Sequence, residues 1–96
     1  MRYKTALITG AARGIGLATA QLMTARGYRV AMVDRDVDEL NAVATNLDQA
    51  EAFFCDVSVP EETAKMVTSV LDWAGQIDVV VNNAGVADFG TIEETD

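Results

Sequence analysis

Apolar and polar positions change period along this chain. Residues 3–9, YKTALIT, form a short apolar run that reads as a buried strand. From residue 14 the spacing lengthens: Ile15, Ala18, Leu22 and Ala25 recur at helical intervals. They predict a helix over 14–26, ended by Gly27. RVAMVD, 29–34, is a second strand. Asp36 and Glu39 have the spacing of a capping box, and Val37, Leu40, Val43 and Leu47 give the following helix one apolar face. AEAFFC, 50–55, is a third strand. Ser58 and Glu61 repeat the capping-box spacing, with Pro60 tolerated in the first turn. Ala64, Val67, Val70, Leu71 and Ala74 then mark a helix face before Gly75. IDVVVN, 77–82, is a fourth strand, and its unbroken valines fit a strand covered on both faces. TIEETD, 91–96, reads as the first turn of another helix.

The order is therefore βαβαβαβ. Strands alternating with helices imply a parallel sheet with right-handed crossovers. The expected architecture is α/β: three layers, helices on both faces of a Rossmann-like parallel sheet, strand order 3-2-1-4. A chain of 96 residues is one domain at most.

Composition narrows the chemistry. The net charge is −8, from 15 acidic and 7 basic residues, and such a surface repels phosphate backbones. Nucleic acid is not an expected partner. The longest apolar runs are strand-sized, so no membrane partner is expected either. MRYKTALITG enters a strand pattern directly, without the build of a signal peptide, and the expected location is cytoplasmic. A single cysteine, Cys55, rules out an internal disulfide and a Cys-rich zinc site. With no histidine, Ser-His-Asp and Cys-His catalysis are excluded and the usual metal ligand is missing. DRDVD, 34–38, starts like a calcium loop, but Glu39 and Thr45 stand where glycine and glutamate are needed. No metal ligand is expected.

The residues that can carry chemistry fall at strand ends. TGAARGIG, 9–16, lies between the first strand and the first helix. A glycine-rich turn there leaves backbone N–H groups unpaired at the positive end of the helix dipole, which suits a pyrophosphate. The alternative is a glycine turn that merely joins two elements. Asp34 ends the second strand, where a carboxylate can accept hydrogen bonds from both hydroxyls of an adenine ribose; the alternative is a helix-capping or loop aspartate. In CDV, 55–57, Asp56 can accept from an adenine amino group and Val57 can offer its backbone N–H; a plain loop role fits equally. In NNAG, 82–85, Asn82 and Asn83 can bond backbone across neighbouring strands, while Ala84 and Gly85 leave room for a flat ligand. Trp73 is expected to pack against a neighbour, Cys55 to be a small buried residue, and Arg26 and Arg29 to be solvated.

Together, TGAARGIG, Asp34, CDV and NNAG resemble the short-chain dehydrogenase/reductase superfamily, in order and spacing over the whole sequence. The resemblance implies an oxidoreductase that passes a hydride between a nicotinamide dinucleotide and an alcohol or ketone. It implies that Gly10, Gly14 and Gly16 frame the pyrophosphate, with help from the N–H of Ile15. Asp34 would take the adenine ribose, Asp56 and Val57 would flank the adenine, and Asn82, Asn83, Ala84 and Gly85 would lie under the middle of the cofactor. A carboxylate at Asp34 repels a 2′-phosphate, so NAD is expected over NADP. Arg13 and Arg35 stand where basic residues of the family can hold that phosphate; Asp34 is expected to compete with the phosphate for the neighbouring Arg35. A homo-oligomer is also implied.

The family's tyrosine with a lysine four residues later, and its upstream serine, have no counterpart. Tyr3 and Tyr28 are followed at that distance by Leu7 and Met32. Residues 1–96 therefore read as the N-terminal part of one NAD(P)-binding Rossmann domain, ending before the catalytic segment. No catalytic residue is expected among them. Two other readings remain: a non-catalytic dinucleotide-binding module, and an S-adenosylmethionine-dependent methyltransferase.

Overall fold

A computed structural model describes residues 3–83. The helix turn expected at 91–96, and the candidate positions Ala84 and Gly85, lie outside the described residues. The elements are β1 (Thr5–Thr9), α1 (Gly14–Ala25), β2 (Arg29–Asp34), α2 (Val37–Ala44), β3 (Ala50–Phe54), α3 (Pro60–Ala74) and β4 (Val79–Val81). All three strand pairings are parallel and the sheet runs β3-β2-β1-β4, as the alternation predicts. Registers such as Thr9↔Val33, Ile8↔Val81 and Asp34↔Phe54 bring the strands' C-terminal ends to one edge. In an open α/β sheet that edge is where ligands bind.

Every residue of β1 is buried, because the strand is covered on both faces. Side chains alternate across it. Ala6 and Ile8 pack with Val30, Met32, Ala20, Leu40 and Ala44, on the side of α1 and α2. Leu7 joins Ala31, Val33, Met66 and Val70, on the side of α3. These are the three expected layers. Side chains as fully buried as Ile8, Met32 and Leu40 each contribute about 2 kcal/mol.

Several local expectations change. β1 begins at Thr5, not at Tyr3, and β4 is limited to three half-buried valines at a sheet edge among the described residues. The face of α1 is the reverse of the one its spacing suggests. Gly16 and Ala20 are buried, and Leu17 and Met23 pack on the core, while Ile15 is 75% and Leu22 51% exposed. GIGLATAQLMTA has no charged residue, so its pattern singles out no face. The smallest side chains decide the contact, since they let the helix approach the sheet most closely.

Both capping boxes also fail as reciprocal pairs. Asp36 does cap α2, accepting from the Glu39 amide at 3.2 Å, but the Glu39 carboxylate turns to Arg13 instead. The N-cap of α3 is Val59, not Ser58, and it has no side-chain cap; Ser58 bonds back to Asp56. On α3, Met66 and Val70 are buried, whereas Ala64 and Leu71 are exposed. Trp73 packs on Phe53 with ring centroids 5.6 Å apart, as expected. Arg29 is not simply solvated: its guanidinium stacks 5.5 Å from the Tyr3 ring centre and 5.4 Å from that of Trp73.

Candidate functional site

At the C-terminal ends of β1, β2 and β3 lies a cleft of about 490 Å³, lined by Gly10, Arg13, Val33, Asp34, Arg35, Cys55, Asp56, Val57, Ser58 and Asn83. Seven of these ten are candidates named from the sequence. Sequence reasoning did not name Val33, Cys55 and Ser58 as site residues, although each adjoins one that it named.

The cleft's first wall is the turn into α1. Arg13 is the N-cap, with no side-chain cap bond, and no acidic residue occupies the first turn. α2 and α3 both carry acids there. The first α1 backbone bond runs from the Leu17 N–H to the Arg13 carbonyl at 3.2 Å, so the amides of Gly14, Ile15 and Gly16 precede the ladder. Gly14 has φ 61, and a Cβ built there meets nothing within 4 Å. Gly16 is different. Its Cβ would overlap the Gly10 carbonyl oxygen, lie 2.7 Å from that carbonyl carbon and 2.8 Å from Asn83 Nδ2. Glycine at 16 thus lets the helix start seat on the end of β1, and glycine at 14 makes a turn that faces open space.

Asp34 is fixed at the opposite wall. Its Oδ2 accepts from the Ala12 amide and its Oδ1 from the Asp36 amide, both at 3.0 Å. A carboxylate offers about four lone-pair sites, so two remain for a ligand. Asp34 does not compete for Arg35: among the described residues the two form no ion pair, because the carboxylate is turned to those amides. The charge of Arg35 bears on Asp56 instead. Arg13 is taken as well. Its Nη2 contacts Asp36 Oδ2 at 2.7 Å and Glu39 Oε1, and its Nε meets Glu39 Oε1 at 3.1 Å. Glu39 first, then Asp36, hold the guanidinium above its ordinary range.

The third wall is the end of β3. Asp56 Oδ1 accepts from the Ser58 hydroxyl at 2.7 Å and the Ser58 amide at 3.0 Å, which lowers its carboxyl below the usual range. It is an ionised acceptor at neutral pH. Beside it the buried Cys55 thiol is pushed up by desolvation and stays protonated at neutral pH, in keeping with a structural cysteine.

Asn82 and Asn83 form the clamp that their position allows. Asn82 Oδ1 accepts from the Thr9 hydroxyl at 2.9 Å, and that hydroxyl accepts from the Asn83 amide at 2.8 Å. Asn83 Nδ2 also closes on Gly16. Thr9, the pivot, was not singled out; its place before Gly10 in TGAARGIG was the available signal. A second groove, about 390 Å³ and mostly apolar, runs between α3 and β4 past Leu7, Met66 and Val80. Among the described residues no cluster of His, Cys, Asp or Glu is placed to hold a metal, and no helix is long and apolar enough to cross a membrane.

A parallel sheet with an uncapped glycine-rich helix start facing an acid at the end of the next strand is a Rossmann-like arrangement. Over residues 4–96 the sequence matches the short chain dehydrogenase family, and the chain belongs to that family. It is 41% identical over 92 residues to a sorbitol dehydrogenase of Cereibacter sphaeroides, covering 95% of this chain and 36% of that one. Two solved structures are similar. One is a 3-ketoacyl-(acyl-carrier-protein) reductase of Brucella melitensis complexed with NADH, with TM-score 0.84 and 37% identity, covering 88% of this chain and 35% of that one. The other is an alcohol dehydrogenase of Thermococcus sibiricus complexed with 5-hydroxy-NADP, with TM-score 0.83 and 40% identity, covering 88% and 38%. The chain spans about a third of the length of the curated relatives it matches, from 32 to 38%. The family match sets the methyltransferase reading aside.

Proposed function

We propose that the cleft holds a nicotinamide dinucleotide, and that residues 1–96 are the N-terminal, cofactor-binding part of one domain of an oxidoreductase acting on an alcohol or ketone. The carrying observation is that the turn into α1, at Gly10 and Arg13, and the Asp34 carboxylate share one cleft, with the Ala12 amide of that turn bonded to Asp34. The residues fit the group. The amides of Gly14, Ile15 and Gly16 and the helix dipole suit a pyrophosphate, and the open space over Gly14 admits it beside Gly10. The two remaining lone-pair sites of Asp34 match the two hydroxyls of an adenine ribose. Asp56 would accept from the adenine amino group and Val57 would offer its N–H nearby. Asn82 and Asn83, with Ala84 and Gly85, would lie under the middle of the cofactor.

When bound, the nicotinamide would accept or donate the hydride. This chain's own part is to bind and orient it, since neither Tyr3 nor Tyr28 has a lysine four residues later. NAD is the proposed cofactor rather than NADP: Asp34 would face a 2′-phosphate, and Arg13 is engaged elsewhere. In its full setting the protein would be a cytoplasmic homo-oligomer.

Calorimetric titration tests this. NAD+ is expected to bind, and Asp34→Asn to weaken it about tenfold, the loss of a charged acceptor. Absence of NAD+ binding, or equal affinity in the variant, would contradict the reading.

A further inference from the structure

Arg13 lines the same cleft as Asp34, and a guanidinium there has the fork geometry that phosphate recognises. In this structure the fork is occupied by Asp36 and Glu39. Both acids stand on a frame built around Asp34. The Asp36 amide donates to Asp34 Oδ1 at 3.0 Å, and Asp36 Oδ1 caps the Glu39 amide. Asp36 Oδ2 is left for Arg13 at 2.7 Å. Glu39 forgoes its capping-box bond, because the amide it would have taken is already bonded to Asp34. One short segment, 34–39, thus carries both the proposed ribose acceptor and the two anions that hold Arg13.

We propose that Asp36 and Glu39 are specificity-determining residues: they latch Arg13 and so set the preference for NAD over NADP. The proposal rests on the dinucleotide reading and adds two residues that need not touch the cofactor. With the latch closed, the Arg13 charge is neutralised and two carboxylates stand near the place of a 2′-phosphate. With it open, Arg13 is free to bind that phosphate.

The test titrates NAD+ and NADP+ into the unmodified protein and into E39Q, D36N and the double variant R13A/E39Q. E39Q keeps the side chain's shape, and D36N keeps a competent helix cap. These ion pairs are exposed, so the expected effect is modest: E39Q and D36N each shift the affinity ratio toward NADP+ by about three- to fivefold. The shift is lost in R13A/E39Q. An unchanged ratio in E39Q and D36N would overturn the latch while leaving the NAD+ site standing. A shift that persists in R13A/E39Q would overturn it too, since charge removal alone would then suffice. If the unmodified protein binds neither nucleotide, the dinucleotide reading falls and the latch with it.

Discussion

A methyl group added at Gly16 has nowhere to go, because the Gly10 carbonyl and the Asn83 amide already fill its place. Gly16→Ala is therefore expected to cost about 3 kcal/mol of stability, read by chemical denaturation. Gly14→Ala meets open space, and only its positive φ opposes it, at about 1 kcal/mol. If the two variants lost equal stability, the close seating of α1 on the end of β1 would be wrong. At this scale the sequence shows residue types and intervals but not partners. Asp34 could be named because it ends a strand pattern. The hold of Asp36 and Glu39 on Arg13 could not, since it joins residues 23 and 26 positions apart through the fold. Separation along the chain likewise hid Arg29 between Tyr3 and Trp73.

Among the elements, the strands and the order of helices were legible, because burial on both faces writes unbroken apolar runs such as VAMV. The inward face of α1 was not, because an uncharged helix carries no polar stripe to contrast with it. Among the described residues, the Thr9 hydroxyl links the end of β1 to the segment after β4. Thr9→Val keeps the shape and removes both its bond to Asn82 and its bond from Asn83. The expected loss is about 1–3 kcal/mol, with faster hydrogen exchange at the Asn83 amide. Unchanged exchange there would show that the clamp does not hold the segment.

For the whole molecule, the topology does the positioning. A central β1 with β2 on one side and β4 on the other helps bring the ends of all four described strands and the turn into α1 to a single edge. The overall charge of −8 opposes an anionic ligand, so the proposed binding at that edge would depend on local amides and the α1 dipole rather than on the net field. The central claim is that this edge is the dinucleotide site. Amide shift mapping by NMR during NAD+ titration tests it most directly. The account predicts shifts at Gly10, Ala12, Gly14, Ile15, Gly16, Arg35 and Val57, with Lys65 and Ser69 on α3 unmoved. No shifts at high NAD+, or shifts confined to Leu7, Met66 and Val80 in the apolar groove, would contradict it.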